Sequence, residues 1–492
     1  MNVSPVSFDR KRVPQGLALV VAPNIRLHPK RLRQWVQAFG QAQFSYTNGW
    51  LTDAKQVTVH PTACSGLEWL MQQNPLGCAF LVAPGLLTAE DWAWANTQPT
   101  PAAWMHAIAM MAVSKAVPEG TFLFHPATYH TTLADEQAIY WPTDGLAERV
   151  SRCYPGAWLE EPQGVLRRRL SGRPMVSIMI PFRDRPELLS QCLDAILAYE
   201  DKYPAFEVIG INNQSTLEET FAVMRAYEAR SSKIRFIEYP HPFNYSAMNN
   251  RAVQVARGEL VLLLNNDIQV QTPDWLQRLA EWATHPKIGA VGAKLFYPTG
   301  QIQHAGVSIG ILGSVLHSFK GLPRGQSDPW GWVNVHRNVS VVTGACLMMR
   351  RDLYLKMGGL NAELFQVAYN DVDLCLRLLD GGYRNLLVSS AEAIHHESVS
   401  RGKDMTPLDR QENAALKQLH HARLFQLDPY FSGALSHFSE MDSTVQGQYL
   451  AELPTERLVS TKVPLVNKRW HLYRFANGRL FSKILAGPVS DD

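Results

Sequence analysis

The chain has 492 residues, enough for two or three domains and a large core. Its formal net charge is only +3, which argues against a nucleic-acid binder held by bulk electrostatics. The six cysteines, at 64, 78, 153, 192, 346 and 375, include no CxxC pair and no metal-type spacing, the pattern of reduced thiols in a cytoplasmic protein. No basic-then-apolar leader opens the sequence, and no segment reaches about 18 consecutive apolar residues, so a cytoplasmic location without a transmembrane helix is expected. Neither a GxGxxG dinucleotide fingerprint nor a GxxxxGKS phosphate loop is present.

The first part of the chain, residues 1–125, contains GCAFLVAPGLLTAEDW (77–92), which aligns with GELVLLLNNDIQVQTPDW (258–275). VTVHP (57–61) likewise echoes FIEYP (236–240). This reads as a second, degenerate copy of one α/β half-fold, with Ala83, Pro84 and Gly85 where the later copy has Asn265, Asn266 and Asp267. The alternative is an unrelated α/β domain with chance similarity. Residues 126–173 read as a connecting subdomain that ends in the basic Arg167–Arg169.

The clearest organisation lies in 174–402. Val176–Ile180 (VSIMI) is an apolar run that predicts a buried strand, ended by Pro181 and the polar loop around Arg183 and Asp184. Leu188, Leu189, Cys192, Leu193, Ile196 and Leu197 then recur at helical spacing. Phe206–Ile211 predicts a second strand, ending in Asn212, Asn213, Gln214 and Ser215, and a helix over 217–229 follows. Ile234–Tyr239, a helix over 246–256 and the strand Leu260–Leu264 continue the alternation. This period implies a mostly parallel sheet with helices on both faces. The polar residues after each strand would then gather along one edge, where open α/β sheets bind ligands. Asp267, at the end of LVLLLNND, stands where a carboxylate can hold a divalent cation against phosphate oxygens. A strand followed by an ordinary polar turn gives the same pattern.

The second half of this region is less regular. Ile288–Phe296 and Val339–Met349 read as strands. Between them lies a Gly-rich, aromatic stretch with His304, His317, Trp330 and Trp332. Exposed tryptophans could stack on sugar rings, or they could pack on the sheet. YNDVDLCLRLLDGGY predicts an amphipathic helix with Asp371 and Asp373 in its first turn. Acids there stabilise the helix dipole, and for Asp373 that role is as good an account as a chemical one. His395 and His396 follow a strand-like segment; they are either a polar loop or, for one of them, the completion of a metal site.

The order VSIMIPFRDRPELL, INNQST, NYSAMNNRAVQVARGELVLLLNND, TGACLMMRR, GGLNAELF, YNDVDLCLR and HHESVSRG resembles glycosyltransferase family 2. It is most similar to the bacterial branch that builds O-antigen and other surface polysaccharides. DPYFSGALSHFSE also resembles that branch, so the likeness spans about 174–435. The resemblance implies a GT-A fold, Rossmann-like, here preceded by the degenerate GT-A-like α/β domain (1–125) and followed by a helical C-terminal extension (403–492). It implies sugar transfer from a nucleotide-sugar, UDP- or dTDP-linked, with inversion, to a glycan or lipid-linked acceptor. Asp267 would be the metal-binding aspartate for Mn2+ or Mg2+, and one of His395 and His396 the late metal ligand. Asp371 would be the catalytic base, with Asn370 where Glu is commoner. Pro181, Arg183, Asp184, Asn212, Asn213, Asn249 and Asn266 fall on the nucleotide side. His304, Trp330, Trp332, Gly344 and Asp373 are the candidates for sugar contacts. A catalytically inactive scaffold or glycan-binding protein is the alternative function.

The chain departs from the family pattern at two places. Asn212 replaces an aspartate that commonly contacts base or ribose, although an amide can both donate and accept. The DxD-type motif keeps only its last acid, as NND. At the other end, 462–485 carries Lys462, Lys468, Arg469, Arg474, Arg479 and Lys483 and no acid, interleaved with aromatic and aliphatic residues. Such a segment can lie in an anionic inner-membrane interface, or it is a helix packed on the domain.

Overall fold

The computed structural model describes residues 165–396 apart from 312–313 and 329–330, together with 406–424 and 428–430. Outside these it describes 3–7, 14, 16–22, 25–27, 29–39, 42–53, 56–59, 67–72, 78–115, 122–131, 145–154, 156, 158–161, 461–465, 468–474 and 480–484. Trp330 and Cys64 lie outside the described residues. The chain divides into two compact units, one of Met1–Pro155, Ile309–Leu316 and Ala422–Asp492, the other of Gly156–Ser308 and His317–His421.

The first unit is α/β. Its sheet includes Leu17–Val21, Phe44–Asp53, Ala79–Val82 and Phe122–Thr131. The helix Pro101–Lys115 is buried continuously from Ala102 to Ala112, so it runs through the core of this unit instead of lying on its surface. The step from strand Ala79–Val82 to helix Ala89–Ala95 matches in order the later step from Leu260–Leu264 to Trp275–Ala283. Their pairing differs: Ala79–Val82 is antiparallel to both its neighbours, whereas Leu260–Leu264 is parallel to one of its two. The basic, aromatic tail forms three antiparallel strands, Thr461–Leu465, Lys468–Arg474 and Leu480–Ile484, rather than a helix.

The second unit carries the principal sheet, whose main elements are numbered from its first long strand. β1 (Val176–Phe182), β2 (Phe206–Asn212), β3 (Ile234–Glu238) and β4 (Leu260–Leu264) alternate with α1 (Pro186–Leu197), α2 (Glu218–Arg230) and α3 (Tyr245–Val255). β5 (Ile268–Val270), α4 (Trp275–Ala283), β6 (Ile288–Phe296), β7 (Cys346–Arg350), α5 (Asn370–Asp380), β8 (Arg384–His395) and α6 (Pro407–Leu419) follow. The sheet order is β3-β2-β1-β4-β7-β6-β8-β5. The first four strands are parallel, as their alternation with helices predicts, but β7 runs antiparallel to β4 and β6, so the sheet is mixed. The stretch 339–349, read as one strand, is interrupted: Arg337–Val339 and β7 are separate strands, and residues 340–345 form the loop that carries Gly344.

β1, β2 and β4 are buried at every position. Each of their large apolar side chains contributes roughly 2 kcal/mol by leaving water. β1 continues two residues past the predicted end. Its pairing with β4 stops at Met179 while its pairing with β2 runs to Phe182, so Pro181 sits where one flank is open and its missing N–H is tolerated. The C-terminal ends of β1, β2 and β4 therefore lie along one edge, and the loops that leave them build the site.

Candidate active site

Four of the five described non-glycine residues with positive φ lie in loops around this edge: Asp184 (51°), Arg185 (55°), Gln214 (57°) and Tyr369 (59°). Non-glycine residues in this region cost free energy and persist where the surroundings over-determine them, commonly at functional sites. Here the surroundings are explicit. Asp184 Oδ1 accepts from the N–H groups of Thr216 (2.8 Å) and Leu217 (3.0 Å), and the Asp184 N–H donates to Ser215 Oγ at 2.8 Å. Burial raises the Asp184 pKa, but these bonds outweigh it and hold the carboxyl below its ordinary 3.8. The β1 and β2 loops are thus stapled together, with Arg183 exposed beside them.

Asn212 is 1% exposed and fully engaged. Its Nδ2 donates to Glu238 and its Oδ1 accepts from the Ser215 N–H at 3.1 Å. Asn213 Nδ2 donates to the carbonyls of Tyr239 (3.1 Å) and His241 (2.8 Å). Asn249, on α3, is buried, and its Nδ2 donates to Tyr245 O at 2.8 Å. Asn266 is half-buried in the turn after β4, beside Asp267.

Asp267 is brought to His395 by strand register. Ile268 of β5 pairs with His395 of β8, and the His396 N–H donates to Asp267 O at 3.0 Å. His395 Nε2 then lies 3.2 Å from Asp267 Oδ1. On the other side of the ring, His395 Nδ1 lies 2.7 Å from Gln303 Oε1. With that oxygen as acceptor, Nδ1 carries the proton, and a neutral His395 presents a lone pair at Nε2, which Asn265 Nδ2 approaches at 3.5 Å. Two acceptors, Nε2 and the buried Asp267 Oδ1 that lacks a hydrogen-bond donor, therefore face each other. A divalent cation would resolve such a pair, and a nitrogen-plus-carboxylate donor set fits one that accepts imidazole as well as oxygen ligands. His396 Nε2 is also buried without a hydrogen-bond partner. Among the described residues, no group of three or more His, Cys, Asp or Glu could hold a metal, so these side chains would supply a minority of its ligands.

Asp371 is the second residue of α5. Its Oδ2 accepts from the Gly344 N–H at 2.8 Å and its Oδ1 from the Val372 N–H at 2.8 Å. Tyr245, at the start of α3, donates its hydroxyl to Gly344 O at 2.9 Å. Burial pushes the Tyr245 phenol up, and the charge of Asp371 adds to this, with smaller contributions from Tyr354 and Asp267. The loop that enters α5 is held from α6. Glu412, 1% exposed, accepts from the N–H groups of Gln366 (2.7 Å), Val367 (3.0 Å) and Ala368 (2.6 Å).

Three of the expected sugar contacts are placed otherwise. Trp332 is 1% exposed, so it packs in the core and offers no face for stacking. His304 is fully buried: its Nδ1 lies 3.0 Å from His317 Nδ1 and its Nε2 accepts from the Thr343 N–H at 3.4 Å. Asp373 is fully buried, bonded to His420 Nε2 (2.9 Å) and Arg377 Nε (2.9 Å), and ties α5 to the end of α6. Burial of His304 and Asp373 is possible because each has found internal partners. Gly344 does reach the site, through its N–H to Asp371.

A sequence profile described as glycosyl transferase family 2 matches residues 177–358. This domain belongs to glycosyltransferase family 2. The matched stretch accounts for most of the second unit and includes the loops after β1, β2 and β4, Asp267 and Gly344, while Asp371, His395 and Glu412 lie beyond its matched end. The chain is 42% identical over 266 residues to the O-antigen biosynthesis protein RfbC of Myxococcus xanthus, covering 53% of this chain and 20% of that protein. It is 29% identical over 153 residues to an N-acetylglucosaminyl-diphospho-decaprenol L-rhamnosyltransferase of Mycobacterium tuberculosis, covering 29% of this chain and 49% of that one. The chain thus spans half or less of the length of these relatives. Among solved structures it resembles GalNAc-T7 with UDP, GalNAc and Mn2+, at 13% identity and a TM-score of 0.42 over 51% of this chain and 48% of that one. Among the described residues, no helix is long and apolar enough to cross a membrane.

Proposed function

We propose that the glycosyltransferase domain is an inverting, metal-dependent enzyme that moves a sugar from a UDP- or dTDP-linked donor to a glycan, in the assembly of a bacterial surface polysaccharide. The observation that carries this reading is the contrast between two acids on adjoining loops, which are joined where the Asn265 N–H donates to Ala345 O at 3.0 Å, next to Gly344. Asp371 is held by two backbone N–H groups, and Asp267 is paired with His395 without a donor between them. One acid is oriented as a base, and the other is left open to a cation.

In this reading Asp371 accepts the proton of the acceptor hydroxyl as that oxygen attacks the anomeric carbon. The new C–O bond forms as the bond to the diphosphate oxygen breaks on the opposite face, which gives inversion in one displacement. The Gly344 and Val372 N–H groups fix both carboxylate oxygens, so the base does not reorganise during attack. Asp267 and His395 would hold Mn2+ or Mg2+, which when bound offsets charge on the leaving diphosphate. The stapled loops around Asp184 and Asn213 would cradle the nucleotide. A lipid-linked acceptor is supported by the basic, aromatic composition of 462–485 and by the likeness to a protein named for acting on a diphospho-decaprenol substrate. The first unit, with Ala83, Pro84 and Gly85 at the position equivalent to Asn265–Asp267, is assigned a non-catalytic role.

Calorimetric binding of UDP and dTDP, with and without Mn2+, tests the site in wild type and Asp267→Ala. Mn2+-dependent binding that disappears in the variant is the expected result. A folded wild type that binds neither nucleotide would overturn the reading.

A further inference from the structure

We infer that Glu412 of α6 is a positioning residue for the base: it sets where the first turn of α5 stands, and with it Asp371. The inference rests on Asp371 acting as base in the reading above. Glu412 lies beyond the stretch matched by the family profile, which ends at residue 358. The start of α5 does not hold itself. Tyr369, which flanks its first residue, has a φ of 59° and makes no side-chain cap. A bulky residue in that region is strained and persists only where its neighbours over-determine it. Just before it, 366–368 present three successive N–H groups, and all three donate to the Glu412 carboxylate.

That carboxylate is buried, and among the described residues no cation pairs with it. A buried charge is costly unless it is matched, and here the match is the three backbone donors. Oε1 takes the Gln366 and Val367 N–H groups and Oε2 takes that of Ala368, so both oxygens are engaged. The next residue of α6, Asn413, donates Nδ2 to the Tyr369 hydroxyl at 2.7 Å. One helix thus grips both the backbone and the strained side chain that lead into Asp371. The carbonyls of the same segment are held from α3. The Ser246 N–H donates to Gln366 O at 3.3 Å, and Ser246 Oγ donates to Phe365 O. Gln366 is therefore pinned at its N–H and at its C=O.

The Gly344 and Val372 N–H groups orient the Asp371 carboxylate, and Glu412 fixes the backbone that carries it. A base must meet the acceptor proton within hydrogen-bond reach, and a misplacement of about 1 Å costs about 10²-fold in rate. Glu412 is too buried to touch a substrate, so its effect passes through Asp371. The loops after β1 and β2 are held by their own bonds, through Asp184 and Asn213, and do not draw on α6. Loss of Glu412 therefore falls on kcat and spares the binding of the nucleotide.

The test follows release of UDP or dTDP from UDP-glucose, UDP-N-acetylglucosamine and dTDP-rhamnose by the full chain with Mn2+, water serving as acceptor. The water oxygen bonds to the anomeric carbon, the bond to the diphosphate oxygen breaks, and Asp371 takes the water proton. Wild type is compared with Glu412→Gln, Asn413→Ala and Arg167→Lys. Glu412→Gln keeps the length of the side chain and one oxygen, so it should fold, but its NH2 opposes a backbone N–H. Its kcat should fall about tenfold with the donor KM unchanged, and hydrogen exchange should quicken over 366–373. Asn413→Ala should lower kcat by less. Arg167→Lys loosens the fold away from the base and should keep the wild-type kcat at a temperature where every variant is folded. Unchanged kcat or unchanged exchange in a folded Glu412→Gln would overturn the inference and leave the donor reading intact. A loss confined to the donor KM, or one that Arg167→Lys matches, would do the same. A wild type that releases neither diphosphate would sink the transferase reading and this inference together.

Discussion

Gly344 and Asp371 are joined by a backbone N–H donated across 2.8 Å to Oδ2, while Val372 donates to Oδ1 at the same distance. Both carboxylate oxygens are thus matched to donors, and neither position accommodates an amide NH2 without opposing an N–H. Asp371→Asn removes the proton acceptor and also disturbs this match. Sugar transfer should fall by at least about 10²-fold, with nucleoside diphosphate binding nearly unchanged by calorimetry. A variant that transfers at the wild-type rate would exclude Asp371 as the base.

Gln303 sets the tautomer of His395 through its contact with Nδ1 at 2.7 Å. Gln303→Leu removes that acceptor, and the proton is then free to move to Nε2, where it would face the cation. Mn2+ affinity measured by electron paramagnetic resonance in the presence of UDP should weaken by about 10- to 100-fold. Equal affinity in the two proteins would mean that His395 does not ligate through Nε2.

Arg167 lies in the segment read from sequence as a connector. In the structure its Nε and Nη2 donate to the two oxygens of Glu281, at 2.7 and 2.5 Å, and its Nη1 reaches Asp274 at 2.8 Å. Glu281 is 1% exposed, and burial raises its pKa despite the arginine. Arg167→Ala strands that carboxyl in the interior and should cost about 3 kcal/mol or more. Arg167→Lys should recover only part, because an ammonium cannot make the forked contact. Urea unfolding followed by tryptophan fluorescence reads this directly, since Trp158 and Trp282 pack together beside the contact with centroids 5.7 Å apart.

The positions legible in the sequence are those fixed by local pattern. VSIMI, FEVIGI and LVLLL are apolar runs with polar ends, and they became the buried strands whose ends carry Asp184, Asn212 and Asp267. Asp371 was legible as an acid at a helix start. What the pattern could not carry were partnerships across long stretches of chain. Gln303 with His395, Tyr245 with Gly344 and Glu412 with the 366–368 backbone have no local signature. For Trp332 and His304 the sequence left sugar contact and packing on the sheet both open, because an aromatic, Gly-rich stretch is seen to be buried only when the rest of the sheet is present. The end of β1 was misjudged because the tolerance for Pro181 depends on where the β4 pairing stops, a property of the neighbour and not of the strand.

Acid should weaken the domain in two successive windows, and His336 opens the first. His336 is fully buried, and its Nδ1 accepts from the Ser389 N–H at 3.2 Å. Burial first, then the positive charges of Arg278, Arg167 and Lys294, lower its pKa from 6.5 to about 3. The unfolded chain therefore takes up this proton before the folded one does. The stability it contributes is complete above pH 6.5 and declines as pH falls toward the folded value, with a slope of about 1.4 kcal/mol per pH unit. Asp373 opens the second window. Burial raises its pKa, but the bonds from His420 and Arg377 outweigh this and set it below 3.8, so its contribution is present above 3.8 and is lost as pH falls through the lower folded value. Thermal melts across the acid range should thus show a melting temperature that is flat near neutrality, falls first by histidine protonation, and falls again at the carboxylate step. In His336→Gln the first decline should be shallower but not absent, because the buried His304 is also held well below 6.5 by burial and by its charged neighbours. Identical slopes in wild type and variant would show that His336 charges equally easily in both states, which a neutral ring sealed in the core does not allow.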